Sequence, residues 1–184
     1  MQNRYACAPE HVKTMDTTEL RERFLIEDLF QPGEVSLVYS HQDRIIVGGA
    51  VPTDGPLTLP VPAELRATNF CDRRELGIVN VGADADVTVD GTTYTIQNKG
   101  CLYVGRGAGA ITFAAPGRFY LFSAPAHTSY PTVLVQPGEG DQRHQQPGGV
   151  AAGLVLDRVQ AGLDVDRPFA FGQFVRELVQ PGDA

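Results

Sequence analysis

The decisive stretch is Val87-Thr88-Val89-Asp90-Gly91-Thr92-Thr93-Tyr94-Thr95-Ile96. Its two halves alternate apolar and polar side chains, the period of a strand with one buried face, and Asp90-Gly91 stands between them. Asp-Gly accepts the positive φ angles of a two-residue type I′ turn, whose twist matches the strands it joins, so a β-hairpin is predicted. From Leu76 to Thr132 similar short runs recur between breakers. They are Leu76–Gly82, Leu102-Tyr103-Val104, Ala110–Phe113 and Arg118–Phe122, separated by the glycine-rich Gly105–Gly109 and by Pro116-Gly117. Strands returning every 8–12 residues or so, with turn chemistry between them, argue for an antiparallel sandwich or barrel rather than a parallel sheet with helical crossovers.

A mainly β, jelly-roll or cupin-like antiparallel barrel follows, and the flanks add to it. Val35–Tyr39 and Arg44–Gly49 read as two further strands. Asp16 with Glu19 three residues on forms a capping box, and Met15 is placed to staple onto Leu20, so a short N-terminal helix is predicted there. Leu20, Phe24 and Leu25 would pack it on the barrel. Pro52–Pro62 holds four prolines in eleven residues and is read as a loop. Ala63–Arg66 is read as a short helical turn, and Val133-Leu134-Val135 as a last strand.

Beyond a linker at Pro137–Asp141 the vocabulary changes. Residues 142–184 contain no Ser, Thr, Ile, Lys, Asn, Tyr, Cys or Met, whereas residues 1–141 hold thirteen threonines and six isoleucines. Two units are therefore expected: a cupin-like domain over 1–141 and an atypical tail over 142–184, poorly packed or marginally helical.

Composition narrows the function. The 184 residues are enough for one barrel and an extension, and the formal charge of −7 with only two lysines, Lys13 and Lys99, argues against nucleic acid. No apolar run reaches membrane length and Met1–Glu10 lacks a signal-peptide core, so a cytoplasmic protein is expected. Cys7, Cys71 and Cys101 are far apart and read as buried free thiols.

Few residues offer chemistry. Arg73 and Arg74 beside Glu75 can present a guanidinium fork to a sugar carboxylate, and Arg44 beside Asp43 can do the same; the alternative for each is a structural ion pair or a subunit contact. Arg44 and Arg74 are the substrate-binding candidates. The four histidines, His11, His41, His127 and His144, lie at least seventeen residues apart. His41 and His127 could meet in space, but structural hydrogen bonding is the expectation, with Arg44, Arg74 and His127 held at the barrel rim and no metal among them. Val104–Gly109 lacks the following helix a phosphate loop needs, and a bulged turn is expected. Ser123, Ser129 and His127 form no nucleophile elbow. No catalytic residue is assigned.

Tyr39–Gly49, Arg73–Gly82 and Ala124–Thr132, together with Lys13–Leu25, Val87–Gly91 and Leu102–Gly107, resemble the 5-keto-4-deoxyuronate isomerase family over about residues 12–136. The resemblance implies a bicupin fold and ketol isomerisation of 4-deoxy-L-threo-5-hexosulose uronate in pectin and uronate breakdown. It also implies zinc and a hexamer. The family's metal cluster, of the form H-x-H-x₄-E with a later His, lies in a second cupin that has no counterpart here. Three readings stay open: an isomerase-family chain inactive alone, a non-catalytic cupin half that binds sugar or assists assembly, or the product of a shortened or frame-shifted gene.

Overall fold

The structure, a computed structural model, describes residues 1–138; the linker beyond Gly138 and the tail expected over 142–184 lie outside the described residues. Eleven strands run in chain order: β1 Gln2–Arg4, β2 Val35–Ser40, β3 Ile45–Ala50, β4 Leu57–Thr58, β5 Arg74–Asn80, β6 Ala85–Val89, β7 Thr92–Ile96, β8 Cys101–Val104, β9 Ile111–Phe113, β10 Phe119–Pro125 and β11 Val133–Val135. Two helices precede β2: α1 Pro9–Val12 and α2 Thr17–Phe24. A seven-stranded sheet in the order β1-β2-β3-β10-β5-β8-β11 faces a four-stranded sheet β4-β9-β6-β7. Every pairing is antiparallel except β1 with β2. The fold is thus the expected cupin-like, jelly-roll barrel.

The core lies between the sheets. The period of two sends Leu37, Ile46, Leu76, Ile78 and Leu121 inward from the large sheet, where they meet Val87, Val89, Ile96, Ile111 and Phe113 from the small one. Phe113 and Phe119 touch across the gap with ring centroids 5.3 Å apart. The predicted hairpin is β6–β7, paired from Ala85–Ile96 to Val89–Thr92, with Asp90 at φ 50° and Gly91 at φ 82°, the double positive φ of a type I′ turn. The Asp90 carboxylate also accepts the Gly109 N–H at 3.0 Å, tying the hairpin tip to the glycine-rich turn.

Four expectations change. Residues 1–12 form β1 and α1, neither foreseen, because three polar residues added to a sheet edge and a four-residue helix leave almost no periodic trace. Pro52–Pro62 contains the two-residue strand β4, paired with β9 at the sheet edge where the flanking prolines have no ladder partner to lose. Helix α2 begins as predicted, with Asp16 Oδ1 accepting from Glu19 N at 2.9 Å and Glu19 Oε2 accepting from Asp16 N at 3.3 Å. It does not pack on the barrel: no residue of it is buried and Phe24 is 53% exposed. Two apolar positions in eight residues make too narrow a stripe, and the sheet's outer face at this end is already covered by the segment around Leu29, whose carbonyl crosses directly over Gly49. All three cysteines are free, but only Cys71 is fully buried, Cys7 and Cys101 being half-buried. Among the described residues, no helix is long and apolar enough to cross a membrane.

Candidate functional site

Strand β5 begins with Arg74 and Glu75, and the pleat sends these neighbours to opposite faces. Arg74 shares the inward face with Leu76 and Ile78. There its Nε donates to Ser123 Oγ at 3.0 Å and its Nη2 to the Ser123 and Arg44 carbonyls at 2.9 and 2.7 Å. Ser123 Oγ in turn donates to the Glu75 carbonyl at 2.7 Å. Glu75, on the outer face, accepts from Tyr103 Oη at 2.9 Å. The sequence-level alternative of an Arg–Glu ion pair at the strand entry is therefore replaced by a hydrogen-bonded guanidinium inside and a carboxylate outside. Burial lowers the Arg74 pKa from its ordinary value, Tyr39 and Cys71 oppose that shift, and the charge of Arg44 adds to it.

Arg44 closes the β2–β3 turn in the left-handed region at φ 55°, with its carbonyl held by Arg74. No hydrogen bond or ion pair to its guanidinium occurs among the described residues, so the expectation that this side chain is tied down at the rim is corrected. The Asp43–Arg44 pair is likewise absent: among the described residues the single salt bridge joins Arg21 and Glu27 in the N-terminal segment. Arg73 precedes β5 and donates through Nη2 to the carbonyls of Leu65 and Arg66, the latter at 3.0 Å, which satisfies the end of the 3-10 turn Ala63–Leu65. The loop between them is shaped by Asp72, whose carboxylate accepts from Thr68 N at 2.8 Å and Asn69 N at 3.0 Å. Those bonds, the one from Asn69 first, hold the Asp72 pKa below its ordinary value.

These pieces surround a cleft of about 380 Å³ at one end of the barrel. Arg44, Arg73 and Arg74 line it, with Glu64 the one acidic lining residue; Tyr39, Leu65, Phe70 and Pro125 give apolar wall. The Arg74 guanidinium carbon lies 5.8 Å from the Tyr39 ring centroid, within cation–π range. The N-terminal strand completes the wall through Met1 and Asn3. His41 belongs here too: its ring stacks on Tyr5 and meets the edge of Tyr39, both at 4.7 Å, its Nε2 lies 3.4 Å from Asn3 Oδ1, and its backbone N–H donates to the Arg4 carbonyl at 2.9 Å.

His127 does not line this cleft. It is exposed beyond β10, its carbonyl accepting from Arg106 Nη1 at 3.1 Å. Among the described residues no three His, Cys, Asp or Glu side chains come together as a metal site, so those residues do not fit the zinc that the family resemblance implies. A larger cleft of about 1100 Å³ lies between α2 and strands β1 and β2, but it mixes Arg4, Arg21 and Arg23 with Glu22, Glu27 and Glu34 and so has no single sign.

The sequence marked Arg44 and Arg74 as binding candidates, and the structure brings them to one cleft with Arg73. The sequence did not mark Tyr39, Phe70 or Asn3. Tyr39 was findable, since the alternation in Val35–Tyr39 puts it on the same face as Leu37; Asn3 was not, because it reaches the cleft only through the parallel pairing of β1. Cys71, near Arg74, is pushed up to about 12 by burial and is no nucleophile at neutral pH.

Residues 24–148 match the KduI/IolB family. The chain is 52% identical to a 4-deoxy-L-threo-5-hexosulose-uronate ketol-isomerase of Kineococcus radiotolerans, with 78% of this chain and 54% of that one covered. It is 51% identical to one of Lachnoclostridium phytofermentans, covering 74% and 51%. The chain thus spans about half the length of the curated relatives it matches. Among solved structures, the Schizosaccharomyces pombe Cnp3 cupin domain aligns with 53% of this chain and 68% of its own, at 14% identity and a TM-score of 0.38.

Proposed function

Because the chain belongs to the KduI/IolB family, we propose that it serves the ketol isomerisation of 4-deoxy-L-threo-5-hexosulose uronate in cytoplasmic uronate breakdown, contributing the sugar-acid-binding and assembly half rather than the proton-transfer centre. The observation that carries this is the identity of about half to relatives named for that reaction, over most of this chain. Moving a proton between adjacent carbons builds negative charge on an enediolate, and a site must hold preorganised positive charge or donors where that charge develops. The cleft offers guanidiniums for a carboxylate. Its histidine and glutamate are poorly placed to move a proton, since His41 is engaged by Tyr5, Tyr39 and Asn3, and Glu64 is exposed on its short turn. The exposed Leu20, Phe24 and Leu25 support a homo-oligomer that covers them.

The test is turnover of the 5-keto-4-deoxyuronate by the purified chain, alone and with added zinc or manganese. No isomerisation above background is expected. Turnover abolished by a chelator would overturn this assignment by showing that the chain holds a working metal centre; turnover insensitive to a chelator would move the chemistry to His41 and Glu64.

A further inference from the structure

The large sheet opens at the Arg74 end into a cleft whose charge runs against the whole molecule. Three arginines and one glutamate line it, in a chain of formal charge −7. Arg74 commits Nε and Nη2 to Ser123 and to the Arg44 carbonyl, so it acts chiefly as scaffold, fixing the turn that carries Arg44, with Nη1 left toward the cleft it lines. Arg73 spends only Nη2 on Leu65 and Arg66, leaving Nε and Nη1 directed to no acceptor among the described residues. Arg44 spends none of its five N–H groups on them. It also adopts φ 55°, where an arginine is held at a cost of roughly 1 kcal/mol that Asn or Gly would lessen. Burial lowers the Arg74 pKa and the charge of Arg44 adds to that, the direction expected where like charges outnumber the one carboxylate beside them. A planar anion that accepts two parallel N–H bonds relieves this arrangement, and the guanidinium fork matches a carboxylate.

We propose that this cleft is a carboxylate subsite for a sugar acid of hexuronate size, with the carboxylate on Arg44 and Arg73 and the carbon skeleton against Tyr39, Leu65, Phe70 and Pro125. The cleft volume of about 380 Å³ lies within the range of small-ligand sites. Arg74 is a positioning residue: through Nη2 it holds the Arg44 backbone. The proposal rests on the reading above only for the choice of a uronate as probe, and it concerns binding, not turnover.

Isothermal titration of the full chain at low ionic strength with D-galacturonate, D-galactose and acetate tests it. Galacturonate should bind at millimolar concentrations, galactose should not, and acetate should bind more weakly than galacturonate. Added sodium chloride should weaken the binding. Arg44→Asn, which suits the left-handed backbone and removes no contact within the described fold, should weaken galacturonate roughly 5- to 30-fold, and Arg73→Gln by a similar factor. Absence of galacturonate binding, equal binding of galactose, equal binding of acetate, or an unchanged affinity in Arg44→Asn would each overturn the proposal. None of these outcomes bears on the isomerase assay, so a failed subsite and a failed family activity are read separately.

Discussion

At position 80 an asparagine is enclosed at 0% exposure and fully used. Its Nδ2 donates to the carbonyls of Ala83 and Ile96 at 2.7 and 2.8 Å, and its Oδ1 accepts from Gly82 N at 3.0 Å. Asn80→Ala leaves two carbonyls and an amide without this partner inside the barrel. We predict a loss of roughly 2–4 kcal/mol, read as a lower urea midpoint at unchanged slope. Neutral substitution at this site would show that water replaces the carboxamide. Nothing in Val79-Asn80-Val81 announces that role, since a polar residue in a strand reads as solvent-facing until the pleat is known. Arg74 is the converse case: its chemistry was visible in the sequence, while its partners, Ser123 and the Arg44 carbonyl, are 49 and 30 residues away.

Among the elements, those decided by neighbouring residues were legible. The β6–β7 hairpin follows from Asp90-Gly91, and the start of α2 follows from the Asp16–Glu19 box. Where an element docks was less so, because docking is settled by close approaches between distant backbones. Gly49 illustrates this: a Cβ there would stand 2.2 Å from the Leu29 carbonyl oxygen, so the Leu29–Phe30 segment crosses β3 only because residue 49 has no side chain. Gly91, at φ +82°, has open space around its Cβ position and is bound only by its backbone. We therefore predict that Gly49→Ala destabilises the chain by more than about 2 kcal/mol, whereas Gly91→Ala costs about 1 kcal/mol, both measured by urea unfolding. Equal effects would mean that the Leu29 segment yields freely.

For the whole molecule, burial of neutral acids sets the alkaline limit. Burial raises Cys71 from 9.0 to about 12, raises Tyr120, and, with Glu75 adding its charge, raises Tyr103 above the ordinary 10.0. The folded barrel keeps these protons at pH values where the unfolded chain has released them, so unfolding releases protons and stability falls as pH climbs beyond the unfolded values. The urea midpoint should be lower at about pH 10.5 than at about pH 8, and Cys71 should resist alkylation in the native state at the lower pH. A flat midpoint across that interval would contradict the burial account. By itself the sequence determined the β-rich class, the hairpin, the helix cap and the family, because each is written in local periodicity, turn chemistry or contiguous motifs. Only the tertiary structure decided that Arg44, Arg73 and Arg74 share a cleft with Tyr39 and the N-terminal strand, that His41 and His127 do not share it, and that Arg74 and Glu75 part to opposite faces. Those outcomes depend on strand order, register and parallel edge pairing between segments tens of residues apart, which no local pattern encodes.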